Sequence, residues 1–124
     1  MAYGTLQTDV INSSTGLFST NNAYSGIAKA WVNFNGNGST TINNSFNVSS
    51  VTYNSTGDYT INFTTAMTNS NYVPVGIGSN ATGDGTCMVQ STTAPTTTAW
   101  RTTCKAYGSS LVNATYVYVA ILGS

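Results

Sequence analysis

Six side chains of this chain carry a formal charge: Asp9, Lys29, Asp58, Asp84, Arg101 and Lys105, and there is no histidine and no glutamate. Hydrolysis of a glycosidic bond by general acid and base needs two carboxyl groups flanking one cleft. The three aspartates are far apart in sequence, and Asp58 and Asp84 fall in glycine-flanked turns, where an aspartate ordinarily binds its own backbone. Two cysteines without a histidine do not complete a structural zinc site. The loop over residues 82–86 brings one carboxylate, too few for calcium. The expectation is a protein without catalytic residues, metal or cofactor, and not an enzyme.

Cys87 and Cys104 permit a geometric inference. If segments 86–91 and 99–107 form a hairpin centred between Pro95 and Thr96, the two cysteines are directly opposed across the ladder. Opposed Cβ atoms lie roughly 4.5–5.5 Å apart, and a disulfide draws them to about 3.8 Å. Two readings stand: a disulfide formed in an oxidising medium, or two reduced small core residues. The aromatic side chains offer flat stacking surfaces, with asparagine and threonine beside them as hydrogen-bonding groups. Trp31, Tyr72, Trp100 and Tyr107 are the candidate surface-binding or interface residues, and Tyr53 is a further stacking surface. Trp31 lies on the strand face opposite Val32 and Phe34, so it is the one expected to leave the core. Single aromatics on strands are otherwise commonly core residues.

These side chains need a scaffold, and the composition says which kind. Charged residues are 5% of the 124, and the formal net charge is zero. No basic stripe exists to neutralise phosphates or to meet an anionic membrane, so neither nucleic acid nor membrane is an expected partner. Threonine, serine and asparagine together make 52 residues, while apolar residues reach 40% and aromatics 11%. The apolar share suffices for a core, and Thr, Tyr, Val and Ile favour strands while Asn, Gly and Ser favour turns. No run approaches the ~18 apolar residues of a membrane span. The opening Met1-Ala2-Tyr3-Gly4-Thr5 has no basic start and no apolar run, so no secretory signal is read there.

Along the chain the apolar period is two, broken by Gly, Asn, Ser and Thr clusters. Residues 1–27 read as an N-terminal attachment arm, with one short strand over 5–11 and loops over 12–16 and 19–22. Residues 28–124 read as a single small antiparallel β-sandwich, with a jelly roll as one form it could take. Ala30, Val32 and Phe34 alternate along a first strand that ends at Asn35-Gly36-Asn37-Gly38, a strong turn signal. Segments 46–53 and 58–65 form a hairpin, with Tyr59, Ile61 and Phe63 on one face. Val73, Val75 and Ile77 share one side of a strand whose Pro74 has no N–H, so either the strand lies at an edge or position 74 faces away from a partner. The last strand, 115–122, is apolar on both faces. Its second face is covered either by another subunit or by the arm.

Several stretches resemble proteins of marine and cyanobacterial bacteriophages that serve as tail fibres or virion structural proteins. They are Ala28-Lys29-Ala30-Trp31-Val32-Asn33-Phe34-Asn35-Gly36-Asn37-Gly38, Phe46-Asn47-Val48-Ser49-Ser50-Val51, Thr56-Gly57-Asp58-Tyr59-Thr60-Ile61-Asn62-Phe63-Thr64-Thr65-Ala66-Met67, Asn71-Tyr72 and Ala114-Thr115-Tyr116-Val117-Tyr118-Val119-Ala120-Ile121. The opening Tyr3-Gly4-Thr5-Leu6-Gln7-Thr8-Asp9-Val10-Ile11 is similar as well, and residues 78–112 depart from the pattern. The resemblance implies a homotrimeric β module of the virion, assembled in the host cytoplasm and contacting other virion proteins. A tail-fibre or receptor-binding subunit would also meet a host-surface glycan or protein. A capsid decoration or head-fibre protein is the alternative of the same make, and a free carbohydrate-binding module is the alternative from another class.

Overall fold

Successive side chains of a strand point to opposite faces, so alternation in the sequence becomes an inside and an outside. The computed structural model describes residues 10–13, 16–19, 26–79, 85–106 and 110–123. Among them run ten strands: β1 (Val10–Ser13), β2 (Gly16–Ser19), β3 (Ala28–Asn35), β4 (Thr41–Phe46), β5 (Val48–Ser55), β6 (Asp58–Phe63), β7 (Val73–Ser79), β8 (Gly85–Gln90), β9 (Ala99–Lys105) and β10 (Tyr116–Leu122). β1 and β2 form a hairpin of their own. The others follow the order β4-β3-β10-β7-β8-β9-β6-β5, every ladder antiparallel.

That order makes a small all-β sandwich, with β4-β3-β10-β7 in one layer and β5-β6-β9-β8 in the other. β8 belongs to both layers: Gly85 and Thr86 pair with β7, and the residues after them pair with β9. Of the pairings that wrap a jelly roll, the first strand with the last is present as β3 with β10; β4 and β5 stand at the two ends of the order.

The core is where the inner faces meet. Ala30, Val32 and Phe34 of β3 and Val117, Val119 and Ile121 of β10 are buried from one layer. Tyr59, Ile61 and Phe63 of β6 and Trp100, Thr102 and Cys104 of β9 are buried from the other. Phe34 meets Tyr59 edge to face across the layers, their ring centroids 5.3 Å apart. Each large aliphatic or aromatic side chain so enclosed stabilises the fold by roughly 1.5–3 kcal/mol relative to exposure. The alternation read along β3 and β6 is therefore the one found.

Two local features differ from the sequence reading, for clear reasons. The run 46–51 is not one strand. Asn47 takes a left-handed backbone conformation, φ 54°, that asparagine tolerates better than most residues. Its amide is held at both ends: Nδ2 donates to the carbonyls of Lys29 (3.0 Å) and Thr65 (3.1 Å), and Oδ1 accepts from Thr65 N–H (2.7 Å). The corner passes the chain from β4 in one layer to β5 in the other. The hairpin with β6 accordingly starts at Val48, opposite Phe63. In the N-terminal stretch, Asn12, Ser13 and Gly16 belong to the β1–β2 ladder rather than to a loop. The part of the expected first strand over residues 5–9 lies outside the described residues.

A buried tyrosine fastens the loops at one end. The Tyr59 hydroxyl donates to the Gly36 carbonyl (2.9 Å), and Gly36 N–H donates to the Ala114 carbonyl (2.9 Å). A Cβ on Gly36 would stand 2.5 Å from that hydroxyl, so glycine is needed for the approach. Asn113 Oδ1 accepts from Gly57 N–H (2.8 Å), tying the β5–β6 turn into the same junction. Burial pushes the Tyr59 phenol up to about 12.

Candidate functional site

The site begins with the faces of β3, β10 and β7 that turn away from the core. Register puts their outward residues in rows. Phe46 of β4 stands opposite Trp31, Trp31 opposite Ala120, and Ala120 opposite Val75. The next row is Asn44, Asn33, Tyr118 and Ile77. Tyr116 and Val73 continue the surface at either end of β10. These are large side chains left in the open: Trp31 is 36% exposed, Tyr118 47%, Phe46 55% and Ile77 62%. Ala120 is the smallest side chain of its row, and over it lies a shallow depression of about 400 Å³ walled by Trp31, Tyr118, Val75 and Ile77. An apolar surface of this kind marks an interaction site more often than a singly exposed leucine or valine does.

Polar side chains on this face are few. Asn43 Nδ2 donates to Asn33 Oδ1 at 3.0 Å. Lys29 is the one formally charged residue on β3, β4, β7 and β10. β7 also explains Pro74: its ladder with β8 is confined to Gly78 and Ser79, so the stretch around Pro74 has β10 on one side and no β8 pairing on the other. A missing N–H is tolerated at such an edge.

The ion pair lies on the other layer. Asp58 and Arg101 pair across β6 and β9 in a forked contact, Nε to Oδ1 at 2.9 Å and Nη2 to Oδ2 at 2.7 Å. Asn54 Nδ2 also donates to Asp58 Oδ1, at 3.1 Å. The bond from Arg101 holds the Asp58 carboxyl below its ordinary range, while partial burial works the other way. The expectation that Asp58 binds its own backbone is thus corrected: its partners are the side chains of Arg101 and of Asn54 in the same turn. Among the described residues no group of three His, Cys, Asp or Glu is placed to hold a metal ion.

The candidate aromatics divide. Trp31 is on the outer face, as the alternation of β3 requires. Tyr72 and Trp100 are not surface residues; both are core. The Tyr72 ring meets Phe63 edge to face at 5.6 Å, and its hydroxyl lies 3.0 Å from the carbonyl oxygens of both Thr96 and Ala99. Burial pushes that phenol up to about 12. Trp100 points inward with Thr102 and Cys104, and its indole N–H donates to Gln90 Oε1. Both rings find polar partners for their one polar atom, which is the condition for burying them. Tyr107 lies outside the described residues.

The cysteine geometry is corrected by one residue. Cys87 pairs with Lys105, and Cys104 pairs with Met88. The ladder is symmetric about Thr96 rather than about the Pro95–Thr96 bond. Thr96 accounts for the offset, since its N–H donates to Ala99 O and its Oγ1 accepts from Ala99 N–H, both at 3.0 Å. That turn takes up one residue, so direct opposition of Cys87 and Cys104 is not found, and the register lends the disulfide no support. Cys104 is a buried core residue.

What sequence reasoning missed is the company Trp31 keeps. Tyr116, Tyr118, Val75, Ile77 and Phe46 were not singled out as site residues, although the pattern Val73-x-Val75-x-Ile77 and the two-sided final strand carried the signal. Compared with known proteins, the chain matches no family model, no curated protein and no solved structure.

Proposed function

We propose that this protein is a bacteriophage virion structural protein, a tail-fibre or receptor-binding subunit that acts by contact and not by catalysis. The phage assignment rests on the resemblance carried by residues 28–38, 46–51, 56–67, 71–72 and 114–121. The observation that carries the contact role is the outer face of β3, β10 and β7, where large aromatic and aliphatic side chains are exposed and Lys29 is the one formal charge. In this reading the module works as a homotrimer bound to other virion proteins, and its polar loops meet a glycan or protein of the host surface.

Two measurements test it. Gold-labelled antibody against the purified protein should decorate the tails of the parent particle in electron micrographs. Added free protein should slow adsorption of that particle to its host. Label confined to the head would favour the capsid-decoration alternative, and particles without label would end the virion reading.

A further inference from the structure

We infer that the outer face of β3, β10 and β7 is the surface through which copies of this chain pack against one another. The inference rests on the subunit reading for its oligomer and names the surface that reading leaves open.

Three observations choose a second copy over other occupants. The first is extent. Trp31, Phe46, Val75, Ile77, Tyr116 and Tyr118 are each between a third and two-thirds exposed on one continuous face. At roughly 150–250 Å² for a whole aromatic side chain, and somewhat less for an aliphatic one, their open area is on the order of 600 Å², where each partner's share of a stable interface begins.

The second is charge. The strands that build the face carry one formal charge, Lys29 near the start of β3, while Asp58 and Arg101 lie on the other layer. A nucleic acid or a strongly charged protein finds nothing here to pair with. A copy of the same face brings one formal charge, Lys29 at its margin, so little like-charge repulsion opposes the contact.

The third is shape and chemistry. The face has a hollow over Ala120 and projecting side chains beside it in Ile77 and Tyr118, a knob and a hole by which one copy can engage the next. Aromatics at its centre and little charge match the core of subunit interfaces. Three adjacent aliphatic residues, Val73, Val75 and Ile77, are poor partners for a sugar hydroxyl and good ones for their own kind.

Light scattering coupled to size exclusion tests this on the full chain. The wild type should run as an assembly of two or three chains, and Ile77→Asp should run at the monomer mass of 12.9 kDa with an unchanged circular dichroism spectrum. Thr52→Asp, on the polar outer face, should leave the assembly intact. A wild type that stays monomeric up to millimolar concentration would overturn the inference, and so would an assembly that survives Ile77→Asp. If that variant fails to fold, the exposure of Trp31 in the wild type decides. Trp100 is buried in either state, so acrylamide quenching reports Trp31; it should rise several-fold on dilution through dissociation, and a quenching curve independent of concentration would refute the interface. Antibody labelling of particles is a separate readout, so loss of this interface and loss of the virion reading are distinguishable.

Discussion

The two outer faces of this sandwich were built by the same rule and finished differently. On the β5-β6-β9 layer the outward residues bond to one another. Asn62 Nδ2 donates to Ser50 Oγ and Thr52 Oγ1, both at 3.0 Å, Asn54 Nδ2 donates to Thr60 Oγ1 at 2.9 Å, and Arg101 forks onto Asp58. On the β3-β10-β7 layer the corresponding positions hold Trp31, Tyr118, Ala120, Val75 and Ile77. The first face is complete in water, with its polar groups satisfied within the chain. The second exposes mainly apolar area and has no covering among the described residues. A strand's alternation separates inside from outside; it does not say that the outside is meant for solvent.

The comparison is sharpened first by the shared core. Ile121→Ala, on the inner face of β10, should lower unfolding free energy by about 2–5 kcal/mol in urea titrations. A small effect there would mean that the inner and outer faces of β10 are not the distinct environments described. Next in size is the junction that joins the layers. Tyr59→Phe should cost about 1–3 kcal/mol, because the Gly36 carbonyl loses its buried donor. The tyrosine contribution is fully present below the unfolded pKa of about 10 and is lost as pH rises toward the folded value near 12. The stability gap between wild type and Tyr59→Phe should therefore narrow over that window in alkaline melts.

The polar face should respond to acid. The folded Asp58 pKa is lowered, so its contribution is present above the unfolded value of about 3.9 and is lost as pH falls through the folded one. Arg101→Met should lower the melting temperature at neutral pH and make no difference once Asp58 is protonated. Equal shifts at both pH values would show that Arg101 acts through packing alone. The smallest effect belongs to the apolar face. Ile77→Thr, measured at concentrations where chains are separate, should move monomer stability by no more than about 0.5 kcal/mol. A large loss would mean that the face is held within the chain and is not open to a partner.

Much of the fold was legible because its signals are local. Ala30, Val32 and Phe34, and Tyr59, Ile61 and Phe63, declare their buried sides by alternation alone, and Asn35-Gly36-Asn37-Gly38 declares its turn. Trp31 followed from the same parity. The errors arose where a tertiary tie overrode a local pattern. Asn47 looked like a strand residue until its amide was seen clasping the Lys29 and Thr65 backbone. The β8–β9 register depended on a threonine turn at residue 96, and one residue of slip removed the opposition of Cys87 and Cys104. Tyr72 and Trp100 looked like stacking surfaces because a sequence does not show that Thr96, Ala99 and Gln90 supply buried partners for them.

By itself, then, the chain's order of residues determined an all-β protein with scarcely any charge and the inward side of its clearest strands, since parity and composition act over a few neighbouring positions. Only the tertiary structure decided which strands are neighbours: β3 beside β10 and β10 beside β7, partners far apart in sequence. That adjacency turns three separate stripes of aromatic and aliphatic side chains into one surface. The physical reason is that a patch is a property of area, and area is assembled by long-range pairing that no local period encodes.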